Sequence, residues 1–168
     1  MVSLSPFVSF NQCCVAIAGK DFVIAGTDMR VSRGYSILDR HHSKTVQLTS
    51  NCILTSAGMV ADVEALHKNL IFRIRMYQRT EKKEPTVASV AQLLSTTLYS
   101  RRFMPYYAFN LLCGLDKDGK GIVYGYDAVG SYGSEGYGAQ GSGNSMGMTV
   151  LDNQFVGHNH IVKELPES

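Results

Sequence analysis

The sequence predicts an α+β domain in which sheets and helices form layers. Three features of the chain support this prediction. The first part of the chain contains short apolar runs typical of strands. Between residues 60 and 98, the spacing of apolar residues changes from every second residue to every 3.6 residues, which is typical of helices. Strand-type runs then return before a short last helix. Because strands and helices are grouped rather than alternating one by one, an α+β sandwich is favoured over βαβ units.

Length and composition are typical of one globular domain, which we expect to cover residues 1–168. The chain is 45% hydrophobic and has a net charge of +2, too small to indicate a nucleic-acid or membrane-surface partner. No apolar run reaches the roughly 18–20 residues that span a bilayer, and residues 1–10 lack the basic start of a signal peptide. We therefore expect a soluble intracellular protein with no nucleic-acid and no membrane partner.

The first half of the predicted strands forms two hairpins. Residues 14–18 and 22–25 flank a turn at residues 19–21, and both runs are almost continuously apolar, so we expect this hairpin to be covered on both faces. Residues 44–48 and 52–55 follow, separated by a turn at Asn51. Because these strands are neighbours in sequence, we expect them to assemble into one sheet.

Two amphipathic helices come next. The first carries an apolar stripe and ends at a polar break over residues 81–84; the stripe consists of Val60, Val63, Leu66, Leu70, Ile71, Ile74 and Tyr77. The second begins after Thr86, a predicted N-cap, and its stripe consists of Val87, Val90, Ala91, Leu94 and Leu98. Strands are then predicted at residues 106–115 and 121–127, and a third helix at residues 142–151 after a glycine-rich approach.

Several short patterns could indicate a ligand. Residues 136–141 match G-x-G-x-x-G, which raises a nucleotide-binding hypothesis, but a hairpin rather than a βαβ unit precedes them, so we interpret them as a flexible turn. His158 and His160 have no evident third metal ligand, and residues 116–120 contain only the start of a calcium loop. We expect no cofactor and no metal site.

Four segments of the chain closely resemble the β-type subunits of the 20S proteasome. They are residues 16–30, 34–36, 94–107 and 125–132. Residues 98–107 and 127–132 look most like the sixth β position of that ring, which is non-catalytic. The resemblance implies the N-terminal-nucleophile hydrolase fold, a four-layer αββα sandwich. It leads us to expect an N-terminal extension at residues 1–11 and, over residues 12–168, a partial sandwich missing its C-terminal part.

The resemblance also implies partners and a location. We expect the chain to assemble with other proteasome α and β subunits into hetero-oligomeric stacked rings, in the cytoplasm and the nucleus. In active members, self-cleavage frees a threonine whose hydroxyl attacks the peptide while its own α-amine takes the proton. A carboxylate and a lysine nearby tune that amine.

Matching residues 16–30 to the family pattern places Asp28 and Lys44 on that tuning pair, and Gln12 on the threonine. A carboxamide cannot act as the nucleophile, and Asn11 precedes it, so the cleavage signal is absent. The resemblance therefore implies a structural subunit with no catalytic residue, in which Asp28 and Lys44 remain as a vestigial ion pair. A peptidase that uses Cys13 or Cys14 as its N-terminal nucleophile is the alternative.

Overall fold

The computed structural model describes residues 12–155, which form ten strands and three helices. The strands are β1 (Cys13–Ala18), β2 (Val23–Thr27), β3 (Val31–Arg33), β4 (Ser36–Asp39), β5 (Thr45–Thr49), β6 (Cys52–Gly58), β7 (Ala108–Leu115), β8 (Gly121–Tyr126), β9 (Tyr132–Glu135) and β10 (Tyr137–Gly141). The helices are α1 (Val60–Glu81), α2 (Val87–Tyr99) and α3 (Asn144–Gln154).

A five-stranded antiparallel sheet, in the order β5-β6-β7-β8-β9, lies at the centre of the fold. Helices α1 and α2 cover one face and bury large aliphatic side chains against it. All five residues of the stripe predicted for α2 are buried, and so are Val63, Leu66, Leu70 and Ile74 of α1. Thr86 caps α2 as predicted, since its side chain accepts a hydrogen bond from the Ser89 N–H at 3.2 Å.

A three-stranded antiparallel sheet, in the order β10-β1-β2, packs on the opposite face of the central sheet. Small side chains meet between the two sheets, among them Cys14, Ala16 and Ala18 of β1 and Ala57 of β6. Helix α3 packs on the outer face of β10 and β1. The layers therefore run helix, sheet, sheet, helix, which confirms the expected αββα sandwich.

Two expectations about the first strands are wrong. The hairpins do not share a sheet, because β1 and β2 pair with β10 whereas β5 and β6 belong to the central sheet. The first hairpin is also not covered on both faces, since Ile24 of β2 is 62% exposed. Among the strands of residues 12–155, β2 lies at the edge of its sheet, and α3 packs on β10 and β1 instead. Full cover on both faces belongs to β6 and β7, which lie between the helices and the second sheet.

The glycine-rich approach to α3 is not a flexible turn. Residues 137–141 form β10, which pairs antiparallel with β1 from Tyr137 opposite Ile17 to Gly141 opposite Cys13. The G-x-G-x-x-G pattern therefore does not open a βαβ unit, which a dinucleotide site requires. Strand β9 and the ribbon formed by β3 and β4 were also not predicted.

The structure also bears on membranes and metals. Between residues 12 and 155, no helix is long and apolar enough to cross a bilayer. The same part of the chain contains no group of three or more histidine, cysteine, aspartate or glutamate side chains placed to hold a metal ion. His158 and His160 lie outside the described residues.

Candidate functional site

The three predicted site residues lie at strand ends. Gln12 directly precedes β1, Asp28 directly follows β2, and Lys44 directly precedes β5. The antiparallel pairing of β1 with β2 places Cys14 opposite Thr27, and Asp28 extends that pairing by donating its N–H to the Cys13 carbonyl oxygen at 3.1 Å. Thr27 and Thr45 then meet through their hydroxyls at 3.5 Å, which brings the start of β5 to the same point.

Asp28 and Lys44 form an ion pair. The Lys44 Nζ lies 2.9 Å from both carboxylate oxygens of Asp28 and 2.6 Å from the carbonyl oxygen of Arg30, to which it also donates. Lys44 is only 2% exposed, so its charge is compensated almost entirely within the protein.

The carboxylate of Asp28 has further partners. It accepts the Cys13 N–H at 2.9 Å and the Arg30 N–H at 3.3 Å. The pair therefore connects the start of β1, the end of β2 and the start of β5.

Hydrogen bonds to both the side chain and the backbone of Gln12 hold this residue in place. It is 2% exposed, and its Oε1 accepts a 2.6 Å hydrogen bond from the backbone N–H of Gly58 at the end of β6. Its carbonyl oxygen accepts from Ser142, from the backbone N–H at 2.8 Å and from the hydroxyl at 3.2 Å. Gly141 permits this approach, because it has a φ of 92° and any Cβ there would collide with the Gln12 carbonyl.

The other end of the Gln12 carboxamide is different. Its Nε2 is buried and has no hydrogen-bond partner among residues 12–155. Gln12 also borders two clefts. One, of about 290 Å³, lies beside Tyr107, Phe109 and Gln140, and the other, of about 580 Å³, lies beside Cys13, Asp28, Arg30 and Arg40.

Cys13 and Cys14 are both free thiols in β1. Burial raises the pKa of the partly exposed Cys13, the charge of Asp28 raises it further, and Lys44 opposes both. Burial raises the pKa of Cys14 to about 12. Because the thiolate is the nucleophilic form of cysteine, this environment keeps both side chains in their unreactive, protonated form at neutral pH.

Sequence reasoning missed two contributors to the site. Gly58 supplies the N–H that holds the Gln12 side chain, and Ser142 supplies the donors that hold its backbone. Both donate at least one bond from the main chain, which any residue could do, so their identity gives little signal. The available signal was a glycine at the end of a buried strand and a Gly-Ser-Gly triplet at residues 141–143.

The arrangement has a clear chemical meaning. A backbone N–H aimed into an active site can stabilise an oxyanion as it forms. Here the donor of that type, the N–H of Gly58, is already bound to a carboxamide oxygen. The side chain that takes this bond is a carboxamide, which has no hydroxyl that could attack a substrate.

Comparison with known proteins identifies close relatives. A family model described as "Proteasome subunit" matches residues 8–165. A protein of rice named proteasome subunit beta type-1 is 55% identical over 142 residues, which is 84% of this chain and 64% of that protein. Relatives with the same name from Arabidopsis thaliana and Dictyostelium discoideum are 53% and 42% identical, over 90% and 94% of this chain and 68% and 67% of their own lengths. The chain thus spans about two thirds of the length of these relatives.

Proposed function

Because the chain belongs to the proteasome subunit family, we propose that it is a non-catalytic structural β subunit of the 20S core particle. In this role it contributes to ring assembly and to the chamber for ubiquitin-dependent protein degradation, with other α and β subunits as its partners in stacked rings. The predicted likeness to the sixth β position, called beta type-1 in mammalian naming, is confirmed by the names of the relatives. The cytoplasm and the nucleus are the proposed locations.

The observation that carries the proposal is the state of Gln12. A threonine-type peptidase needs a hydroxyl and a free α-amine on one residue, because the amine takes the proton of the hydroxyl. Gln12 offers a carboxamide instead, and its Oε1 is bound to the Gly58 N–H. In the sequence, its nitrogen forms a peptide bond with Asn11.

The cysteine alternative has weaker support. Cys13 is partly exposed beside Asp28 and borders the larger cleft, which gives it access. Its raised pKa, however, suppresses the thiolate that would attack. Cys14 is fully buried, and a pKa of about 12 leaves roughly one thiol in 10⁵ ionised at pH 7.

The test is to express the full chain with a C-terminal affinity tag in cultured plant cells and to purify it under native conditions. We expect a large particle that contains related α and β subunits. A covalent probe for N-terminal nucleophiles should label sister chains in that particle and leave this chain unlabelled. Imaging of the same tag should show the chain in the cytoplasm and the nucleus.

Two results would overturn the proposal. Recovery of the chain without other proteasome subunits would contradict the proposed structural role. Labelling of this chain by the probe would remove the non-catalytic assignment, and a Cys13→Ser variant and a Cys14→Ser variant would then identify the nucleophile. A Cys52→Ser variant is the matched control, because Cys52 is a buried strand cysteine on the helix-covered face of the central sheet.

A further inference from the structure

Strand β2 leaves backbone hydrogen-bonding groups free along its outer edge. Beside the strand, Asp28 donates its N–H to the Cys13 carbonyl oxygen, so the even-numbered residues of β2 are those that bond to β1. The N–H and C=O groups of Val23 and Ala25 therefore point to the opposite side. Among residues 12–155 these groups have no hydrogen-bond partner.

The edge also lacks the features that usually prevent pairing with another chain. Natural edge strands carry a proline, a bulge or a charged side chain for this purpose. Strand β2 reads Val-Ile-Ala-Gly-Thr, and its register against β1 is unbroken. On the outer face of the sheet, Ile24 is 62% exposed and Phe22, just before the strand, is 47% exposed. An open backbone edge therefore lies beside an apolar surface.

The sequence of β2 is complementary to itself in the antiparallel direction. With Ile24 on a two-fold axis, Val23 of one copy lies opposite Ala25 of the other, and the free N–H and C=O groups of both residues are satisfied. The two Ile24 side chains then meet at a non-hydrogen-bonded position, where cross-strand side chains are closest. Phe22 comes opposite Gly26, which has no side chain to obstruct the ring.

Charge favours this register over the neighbouring one. With Ile24 on the axis, Lys20 lies opposite Asp28 of the second copy, so opposite charges meet at both ends of the paired strands. Moving the axis to Ala25 would place Lys20 opposite Arg30 and set like charges against each other. The strand and the residues beside it therefore carry the charges that a second copy requires.

We propose that β2 pairs antiparallel with β2 of a second copy of this chain, about a two-fold axis at Ile24, and so joins two three-stranded sheets into one. Each copy contributes the same surface, as a two-fold contact requires. Because the contact is small, the dimer is weak, with a Kd of roughly 10–100 µM. It forms from this chain alone, so it does not depend on assembly with other subunits, and either proposal can fail without the other.

The first test is sedimentation velocity of the full chain over a concentration series from about 5 to 500 µM, which brackets that affinity. We expect a monomer at the low end and a dimer at the high end. Ile24→Lys places two ammonium groups on the axis and should weaken dimerisation at least about tenfold. Phe72→Lys introduces the same charge at a side chain of α1 that is 64% exposed, and should leave dimerisation unaltered.

A second pair of variants tests the backbone hydrogen bonds. Ala25→Pro removes an N–H that points away from β1 and leaves the bonds between β1 and β2 in place, so it should abolish the dimer. Ala25→Ser keeps that N–H and should dimerise like the unmodified chain. The circular-dichroism spectrum of each variant checks that the fold is retained.

Cross-linking tests the register and does not depend on either change at Ala25. In a Cys13→Ser background, Ile24→Cys should form a disulfide-linked dimer under mild oxidation, because residues opposite each other at this position have Cα atoms about 4.5 Å apart. Val150→Cys in the same background is the matched control. Val150 lies on α3 and is also 62% exposed, and its variant should not cross-link.

Four results would overturn the proposal. A monomer at about 500 µM would exclude a dimer of the expected strength, and growth beyond a dimer would contradict a closed two-fold contact. Equal dimerisation of the Ile24→Lys variant and the unmodified chain would place the contact elsewhere. Slow hydrogen–deuterium exchange at the Val23 and Ala25 amides of a monomer would show that another part of the chain already covers this edge.

Discussion

The two faces of the central sheet are covered by different kinds of side chain. Toward α1 and α2, large side chains such as Leu54, Leu66 and Leu112 are completely buried. Toward the second sheet, the buried side chains of β1 are Cys14, Ala16 and Ala18. Leu111 and Val123 of the central sheet are also buried on this side, but the strand that covers them contributes less apolar surface per residue than the helices do on the other face.

The helix-covered half of the molecule contributes mainly to stability, whereas the second sheet mainly determines the geometry of the site. Small side chains let the two sheets approach closely, so that the ends of β1, β6 and β10 meet at Gln12. The outer cover is thin there, since Leu151 is the buried residue of α3. Hydrogen bonds and the Asp28–Lys44 ion pair hold this half together, whereas aliphatic packing holds the helix-covered half.

The largest effect is expected in the polar half, from Asp28→Asn. This change leaves the Lys44 ammonium buried without a counter-charge, which costs about 3–5 kcal/mol of the free energy of unfolding. Lys44→Met should cost less, because the Asp28 side chain that remains is 32% exposed and water can reach it. The measurement is urea unfolding of each variant.

A surface pair provides the control for that prediction. Lys68 lies 3.4 Å from Glu64 on α1 and is mostly exposed, so Lys68→Met should change the free energy of unfolding by less than about 1 kcal/mol. The double variant Asp28→Asn, Lys44→Met should be more stable than Asp28→Asn alone. A double variant as unstable as the sum of the two single changes would mean that the pair is not coupled.

The next effect tests the aliphatic half. Leu66→Ala removes a completely buried side chain between α1 and the sheet and should cost about 2–5 kcal/mol in urea unfolding. Leu151→Ala, the same change under the thin cover of α3, should cost clearly less. Phe72→Ala on α1 is the exposed control, with 64% of the side chain open to solvent, and should change little. Equal losses for Leu66 and Leu151 would contradict the contrast between the two halves.

The same contrast explains what could be predicted of the fold. The helix-covered half follows from sequence because its stripes repeat every 3.6 residues and Thr86 is a local cap. The second sheet could not be predicted from the sequence, because β10 is a glycine-rich strand whose partner β1 lies at the other end of the described chain. The prediction that both faces of the first hairpin are covered failed for a related reason. The sequence shows that Ile24 is apolar, but it does not show that its face of the strand is uncovered.

A third prediction concerns a polar network in the helix-covered half. Ser56 donates to the Asn110 Oδ1 at 2.7 Å, so the neutral His67 ring donates its Nε2–H to the Ser56 hydroxyl at 2.8 Å. Burial lowers the pKa of His67 to about 4, with Glu64 opposing the shift and His42 adding to it. The folded protein therefore keeps this ring neutral where an unfolded chain would protonate it.

The sign of the pH dependence follows from that difference. Between pH 6.5 and 4 the unfolded chain binds a proton that the folded chain does not, so the free energy of unfolding falls as the pH falls, by up to about 3 kcal/mol. His67→Gln should flatten this part of the curve of urea-unfolding free energy against pH. His41→Gln, at an exposed position, should retain the slope. An identical slope in the His67 variant would show that other groups cause the loss.

The site was predictable only in part. Asp28 and Lys44 were assigned by matching residues 16–30 to the family pattern, and the structure shows them as an ion pair. The clamps on Gln12 come from Gly58, 46 residues away, and from Ser142, 130 residues away. Contacts at such separations depend on how two sheets pack, which no local pattern records.

The last prediction is that a Gln12→Thr variant gains no peptidase activity. The change supplies a hydroxyl and releases the Gly58 N–H, but the nitrogen of residue 12 remains in a peptide bond with Asn11 and cannot accept a proton. Hydrolysis of fluorogenic peptides should equal that of Gln12→Ala, which removes the same side-chain hydrogen bond without adding a hydroxyl. Turnover by the threonine variant alone would show that the polar half retains a working catalytic geometry and lacks only its nucleophile.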